Sequence, residues 1–145
     1  MLVAGYWETD EEGRTRPLVD ANVGCADGTM VADAFLLDSG ADRTVFSAGL
    51  LARLNMQTQT SSDSDLYGIG GSVESVLLTT IVEFTCKAGG PARVRGEFAA
   101  FTQPEATDVS ILGRDVLDIF DVIISRRREE VLLLSPNHQY HVKTS

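Results

Sequence analysis

Two cysteines, Cys25 and Cys86, and two histidines, His138 and His141, are all this 145-residue chain offers toward disulfide frameworks and zinc sites. The cysteines are isolated, too few for a disulfide scaffold and wrongly spaced for zinc, which points to a reduced, cytoplasmic setting. The histidines form a His-x-x-His pair in a polar stretch without a third ligand, so no metal is expected. Basic residues are scarce too: 12 Lys and Arg stand against 21 Asp and Glu, a net charge of −9. A field of that sign repels phosphate backbones, and nucleic acid is not an expected partner. No run approaches the ~18 apolar residues of a membrane-crossing helix, so no membrane partner is expected. The opening MLVAGYWETDEEG meets acid after a short apolar start, unlike a secretory leader.

What is present suits one globular domain. Hydrophobic residues make up 43% and charged residues 23%, and a chain of this length can bury a real core. Residues 1–16 end in the polar run ETDEEGRTR and read as an exposed arm. Residues 17–134 read as the folded body, and 135–145 as a polar tail. Pro17–Cys25 and Thr29–Leu37 predict a hairpin around the turn signal Ala26–Asp27–Gly28. Ser47–Met56 has helical spacing, with Ser47 as a cap and Leu50, Leu51 and Leu54 on one face. Leu66–Val76 centres on glycines and predicts a further hairpin. Leu77–Lys87 and Ala92–Phe101 read as strands separated by Gly89–Gly90–Pro91. Val109–Leu112 reads as a strand and Val116–Phe120 as a short helix. A closing hairpin, Val122–Ser125 with Glu130–Leu134, flanks Arg126–Arg128, a solvated turn. Many short strands with one or two brief helices predict a mostly β protein, a small closed or sandwich-like barrel.

Three segments carry chemistry. In Phe35–Leu36–Leu37–Asp38–Ser39–Gly40–Ala41–Asp42, an apolar strand delivers a carboxylate into a turn beside a hydroxyl and a residue without a side chain. Backbone amides at Gly40 and Ala41 can approach its oxygens. Taken alone, Asp-Ser-Gly is also an ordinary strand-ending turn. Ile111–Leu112–Gly113–Arg114–Asp115 repeats the shape, although glycine at a strand-to-helix junction is common. Tyr67–Gly68–Ile69–Gly70–Gly71 is a glycine-rich hairpin tip whose amides can come close to a ligand, or a plain flexible hairpin. It lacks the spacing and following helix of a dinucleotide fingerprint.

In this order the three segments resemble the retroviral-type, retropepsin-like aspartic protease family, over roughly Arg16 to Leu134. Leu36–Asp42 matches the catalytic motif, Gly68–Gly71 the flap, and Ile111–Asp115 the late strand and the start of its helix. The resemblance implies a closed β-barrel with one lobe per chain, Asp38 as the catalytic residue, and Ser39, Gly40 and Ala41 as support for its loop. Ser39 stands where many members carry threonine and keeps the hydroxyl. The resemblance also implies an ion pair of Asp42 with Arg114 beneath the site and a hydrogen bond of Thr44 with Asp115. Substrate would be bound by Asp42, Arg43, Val45, Gly68, Ile69, Gly70, Val109 and Ile111. Helix 47–56 is an insertion relative to the shortest viral members, and the termini do not match, which leaves the dimer-forming terminal strands open.

Aspartic protease chemistry needs two carboxylates that share a proton. This chain has one Asp-Ser-Gly, and a two-lobed enzyme needs about double its length. A homodimer with Asp38 from each copy on the twofold axis is therefore expected. The expected activity is an endopeptidase that cleaves between hydrophobic residues through an activated water, without metal or organic cofactor. The alternative is a peptide-binding or dimerisation module of the same fold that does not hydrolyse. Tyr6 and Trp7, amphipathic aromatics near the chain start, are expected at the dimer interface.

Overall fold

Val19, Ala21 and Val23 alternate with Asp20 and Asn22, the pattern of a strand with one buried face. They lie in the first of the long strands of a computed structural model that describes residues 2–60, 66–68, 71–87 and 89–135. In chain order the elements are β1 (Leu2–Ala4), β2 (Tyr6–Thr9), β3 (Thr15–Gly24), β4 (Met30–Leu37), β5 (Val45–Phe46) and α1 (Ala48–Leu54). There follow β6 (Leu66–Gly68), β7 (Gly71–Val73), β8 (Ser75–Phe84), β9 (Ala92–Phe101) and a 3₁₀ turn (Pro104–Ala106). The chain continues through β10 (Ser110–Leu112), α2 (Arg114–Leu117), β11 (Asp121–Ser125) and β12 (Glu130–Leu134).

β3 and β4 pair antiparallel from Leu18↔Leu36 to Gly24↔Met30. Gly28 closes their turn at φ +86°, a left-handed conformation that glycine adopts without a Cβ penalty. Asp27 Oδ1 accepts from the Thr29 amide in the same turn. The strands run in the order β3-β4-β10-β5-β9-β8, and β8 returns to β3 at Asn22↔Glu83 and Val23↔Val82. That last pairing closes a six-stranded barrel and leaves β2 as an outer strand on β3. Closure removes sheet edges that would otherwise pair with other chains.

Phe35, Phe46, Phe84, Leu112 and Val116 are fully buried in the barrel. Phe35 meets Phe46 edge-on, ring centroids 5.9 Å apart, and Phe46 stacks tilted on Phe98 at 5.4 Å. Helix α1 turns Leu50 and Leu54 into the main core, and the Ser47 hydroxyl caps it by accepting from the Leu50 amide at 3.2 Å. No helix of the described residues is long and apolar enough to cross a membrane.

The N-terminal residues differ from the expected exposed arm. β1 pairs with β12, and β2 pairs with β3, so residues 2–9 belong to the sheets. β1, β12 and β11 form a separate three-stranded sheet whose Val3, Val131 and Leu133 enter the main core. Trp7 is used within the chain: its indole N–H reaches the carbonyls of Ser125 and Glu130 at 3.1 and 3.3 Å. Arg126 lies over its ring at 5.6 Å. The Tyr6 hydroxyl donates to Asp20 at 2.6 Å, and burial together with that carboxylate pushes its pKa well up.

Candidate active site

β10 lies between two strands that are consecutive in this part of the chain: parallel to β4 on one side and antiparallel to β5 on the other. Residues 38–44 must therefore cross the end of β10 to pass from β4 to β5. The crossing is stitched to the β10–α2 junction along its length. Asp38 N donates to Leu112 O at 3.1 Å, Arg114 N to Ala41 O at 2.9 Å, and Asp115 N to Asp42 O at 3.2 Å.

Thr44, fully buried, anchors the far end. Its hydroxyl donates to Asp115 Oδ1 at 2.7 Å and accepts from the Gly113 amide at 3.1 Å. The Thr44 amide donates to the same Asp115 oxygen at 2.9 Å. A carboxylate that takes two donors from one residue fixes both the loop and the first turn of α2.

Asp38 sits half-buried at the head of this crossing, with Ser39 and Gly40 exposed beside it. The Gly40 amide donates to Asp38 Oδ1 at 3.0 Å, and the Ala41 amide to Asp38 O at 3.1 Å. The local cause is the Asp-Ser-Gly turn: strand geometry ends at Leu37, and the aspartate side chain bonds the amide two residues on. One carboxylate oxygen is thus held by backbone while the residue keeps access to solvent.

The other residues read from the sequence fall in different settings. Arg114 contacts Asp42 through Nη2 and Oδ1, and both side chains are largely exposed, 49% and 79%. In the single chain that pair lies on the surface and not beneath the site. Arg43 is half-buried. Val45 is 5% exposed and packs with Ala99 and Phe101, with Ile111 and Leu77 against the same cluster. Val109 is half-buried, and its amide donates to the Thr107 hydroxyl at 3.3 Å. Gly68 pairs with Gly71 in the β6–β7 hairpin. Ile69 and Gly70, like His138 and His141, lie outside the described residues.

Ser39 lines a groove of about 340 Å³ with Leu117, Phe120, Val122 and Ile124. A larger groove, about 680 Å³ between β3, β4 and residues 85–87, holds none of the candidate site residues read from the sequence. Ser110 escaped sequence reasoning. It is buried, donates from Oγ to Asp33 Oδ2 at 2.8 Å, and accepts from the Ser47 amide at 3.0 Å. The available signal was a lone serine in the apolar run entering β10.

Residues 19–116, from β3 through Asp38 into α2, match the sequence model of a family described as aspartyl protease. Among curated proteins, no sequence matches this chain. Many solved chains are similar, among them the two described next. EIAV protease, complexed with the inhibitor HBY-793, is 26% identical, with 77% of this chain and 92% of that chain covered and a TM-score of 0.51. A retropepsin-like aspartic protease from Rickettsia conorii is 16% identical, with 92% and 87% covered and a TM-score of 0.52, a likeness of fold. With a family match over more than half its length and a closed barrel of this topology, the chain belongs to the aspartyl protease family, and its fold is retropepsin-like.

Proposed function

We propose that this protein is an aspartic endopeptidase, active as a homodimer, in which two Asp38 carboxylates activate one water. The observation that carries the reading is the setting of Asp38: partly exposed, anchored by the Gly40 amide, at the head of a loop bonded to the β10–α2 junction. A reacting carboxylate needs that combination of access and rigidity. Each chain contributes one such group, so a twofold partner supplies the second.

Two carboxylates in contact cannot both ionise cheaply, and the pair holds one proton between them. The ionised member takes a proton from water as its oxygen attacks the scissile carbonyl carbon. The protonated member donates to the carbonyl oxygen, giving a neutral tetrahedral diol. Collapse moves a proton to the leaving nitrogen, breaks the C–N bond and returns the shared proton to the pair. No covalent enzyme intermediate forms. Ser39 braces the two loops across the axis. The chemistry belongs to residues 17–134, flanked by 1–16 and 135–145.

Substrate lies extended under the hairpin tip Gly68–Ile69–Gly70, with its backbone bonded to Gly40, Asp42 and tip amides as an added strand. Ile111, Val109 and the Val45 cluster give the pockets an apolar character, and cleavage falls between hydrophobic residues. Arg43 meets a polar substrate group. The test is hydrolysis of a peptide library across pH by the wild-type chain and by Asp38→Asn. Asparagine keeps the shape and still accepts from Gly40, so folding persists while hydrolysis falls by about 10²–10⁴-fold or more. Peptide binding without hydrolysis by the wild type, or an equally active Asp38→Asn, overturns the proposal. A preference for charged residues on both sides of the cut bond overturns the apolar pockets alone.

A further inference from the structure

Two of the arginines are half-buried, Arg16 and Arg43. Arg16 has a carboxylate, Asp108, at 2.8 Å. Arg43 has none among the described residues. Its neighbour Asp42 is taken by Arg114. Arg95, Arg127 and Arg128 also lack a carboxylate there, but all three are exposed, where water solvates the charge. A cation partly withdrawn from water without an anion carries a cost that a carboxylate from elsewhere relieves. The chain has 21 acidic residues against 12 basic ones, so the missing partner is a matter of local arrangement and not of supply.

The backbone of Arg43 is fixed from several sides. Gly113 packs directly against it. On one side Asp42 O accepts from the Asp115 amide, and on the other Thr44 bonds both Asp115 and Gly113. Thr44 turns its hydroxyl toward that junction, and the alternation of a chain entering a strand sends Arg43 and Val45 to the opposite side. There Val45 joins Ala99 and Phe101, with Ile111 against them, the cluster that gives the proposed pockets their apolar character. A rigid stretch of the Asp38 loop thus carries a long, unpartnered cation beside that cluster.

We infer that Arg43 selects substrates with an acidic side chain next to the pair of residues joined by the cut bond. The guanidinium donates to the carboxylate of that Asp or Glu, while the apolar cluster takes the residues at the bond itself. Arg43 follows Asp42, whose backbone the substrate bonds as an added strand, and so meets the substrate one step out from the bond. Two copies of the chain present two Arg43 side chains, and the acid is read on either side of the cut. The net charge of −9 does not oppose the contact, because salt screens its field beyond about 8 Å at physiological ionic strength. This assignment rests on the protease reading and narrows its substrate class to apolar pairs flanked by acid.

The test is turnover of a peptide series that shares one hydrophobic pair and carries Glu, Gln or Lys beside it, on one side or the other. The wild-type chain should favour Glu over Gln in kcat/KM by about fivefold or more. Arg43→Gln should erase that preference, and Arg43→Glu should reverse it toward Lys, which a merely structural role would not do. Should Arg43→Glu fail to fold by circular dichroism, Arg43→Gln decides. Equal turnover of the Glu and Gln peptides by the wild type overturns the assignment and leaves the protease reading standing. A preference for Glu that survives Arg43→Gln does the same. If the wild type cuts none of the peptides, fluorescence anisotropy scores their binding instead. Tighter binding of Glu than of Gln then keeps Arg43 as the acid-reading residue and removes the protease reading. Binding without distinction, or no binding, removes both.

Discussion

Gly113 lies so close to Arg43 that a β-carbon on it would overlap the Arg43 carbonyl. The contact joins the loop that carries Asp38 to the turn between β10 and α2, and the neighbour is backbone, which cannot swing aside. Gly113→Ala is therefore expected to destabilise the fold by about 1–3 kcal/mol or more and to reduce hydrolysis with it. Denaturant unfolding gives the first number, and peptide turnover the second. A variant as stable as wild type would show that the two segments separate easily.

The Thr44 hydroxyl serves the Gly113 amide and the Asp115 carboxylate at once. Thr44→Val keeps the shape but leaves the Gly113 N–H buried without its acceptor. The expected cost is about 1–3 kcal/mol. Amide hydrogen exchange at Gly113 should accelerate, and unchanged exchange would count against the arrangement.

Arg114 and Asp42 meet at the surface, where water screens them. Arg114→Ala should thus change the unfolding free energy of the isolated chain by about 0–1 kcal/mol. A loss of several kcal/mol, measured on dimer and on monomer, would mean that dimerisation buries the pair.

Acid should weaken one tie between the start of β3 and the loop that enters β10. Arg16 grips Asp108 with two bonds, at 3.1 and 2.8 Å, and holds its carboxyl below the ordinary carboxylate range. Because the folded-state pKa is the lower one, the stabilisation is fully present above the unfolded value of about 3.9. It is lost as pH falls through the folded value. Asp108 is 54% exposed, so the contribution is about 0–1 kcal/mol. Asp108→Asn should flatten that part of the stability–pH curve below about pH 4 while leaving the neutral region nearly unchanged. An identical acid limb in the variant would refute the assignment.

Local chemistry was written plainly in several stretches. Ala92–Phe101 reads as a strand and is β9 to the residue, because Gly89–Gly90–Pro91 stops whatever precedes it. Ser47 reads as a cap and caps α1. The β3–β4 turn follows from Asp27 and Gly28. Leu2–Ala4 and Tyr6–Thr9 were not legible as strands. They are short, and what orders them is β12 and β3, the first of these at the far end of the chain. Trp7 likewise gave no hint that its partners are Ser125, Arg126 and Glu130.

The order of amino acids settled by itself roughly where the longer strands run, which of their faces are apolar, and that a carboxylate follows Leu37 in a turn of small residues. These are consequences of side-chain period and turn chemistry acting over a few neighbours. Tertiary structure alone decided that β10 slips between β4 and β5, that β8 closes on β3, and that Ser110 finds Asp33. Such pairings depend on which distant surfaces fill one core together, and no short stretch of sequence encodes that.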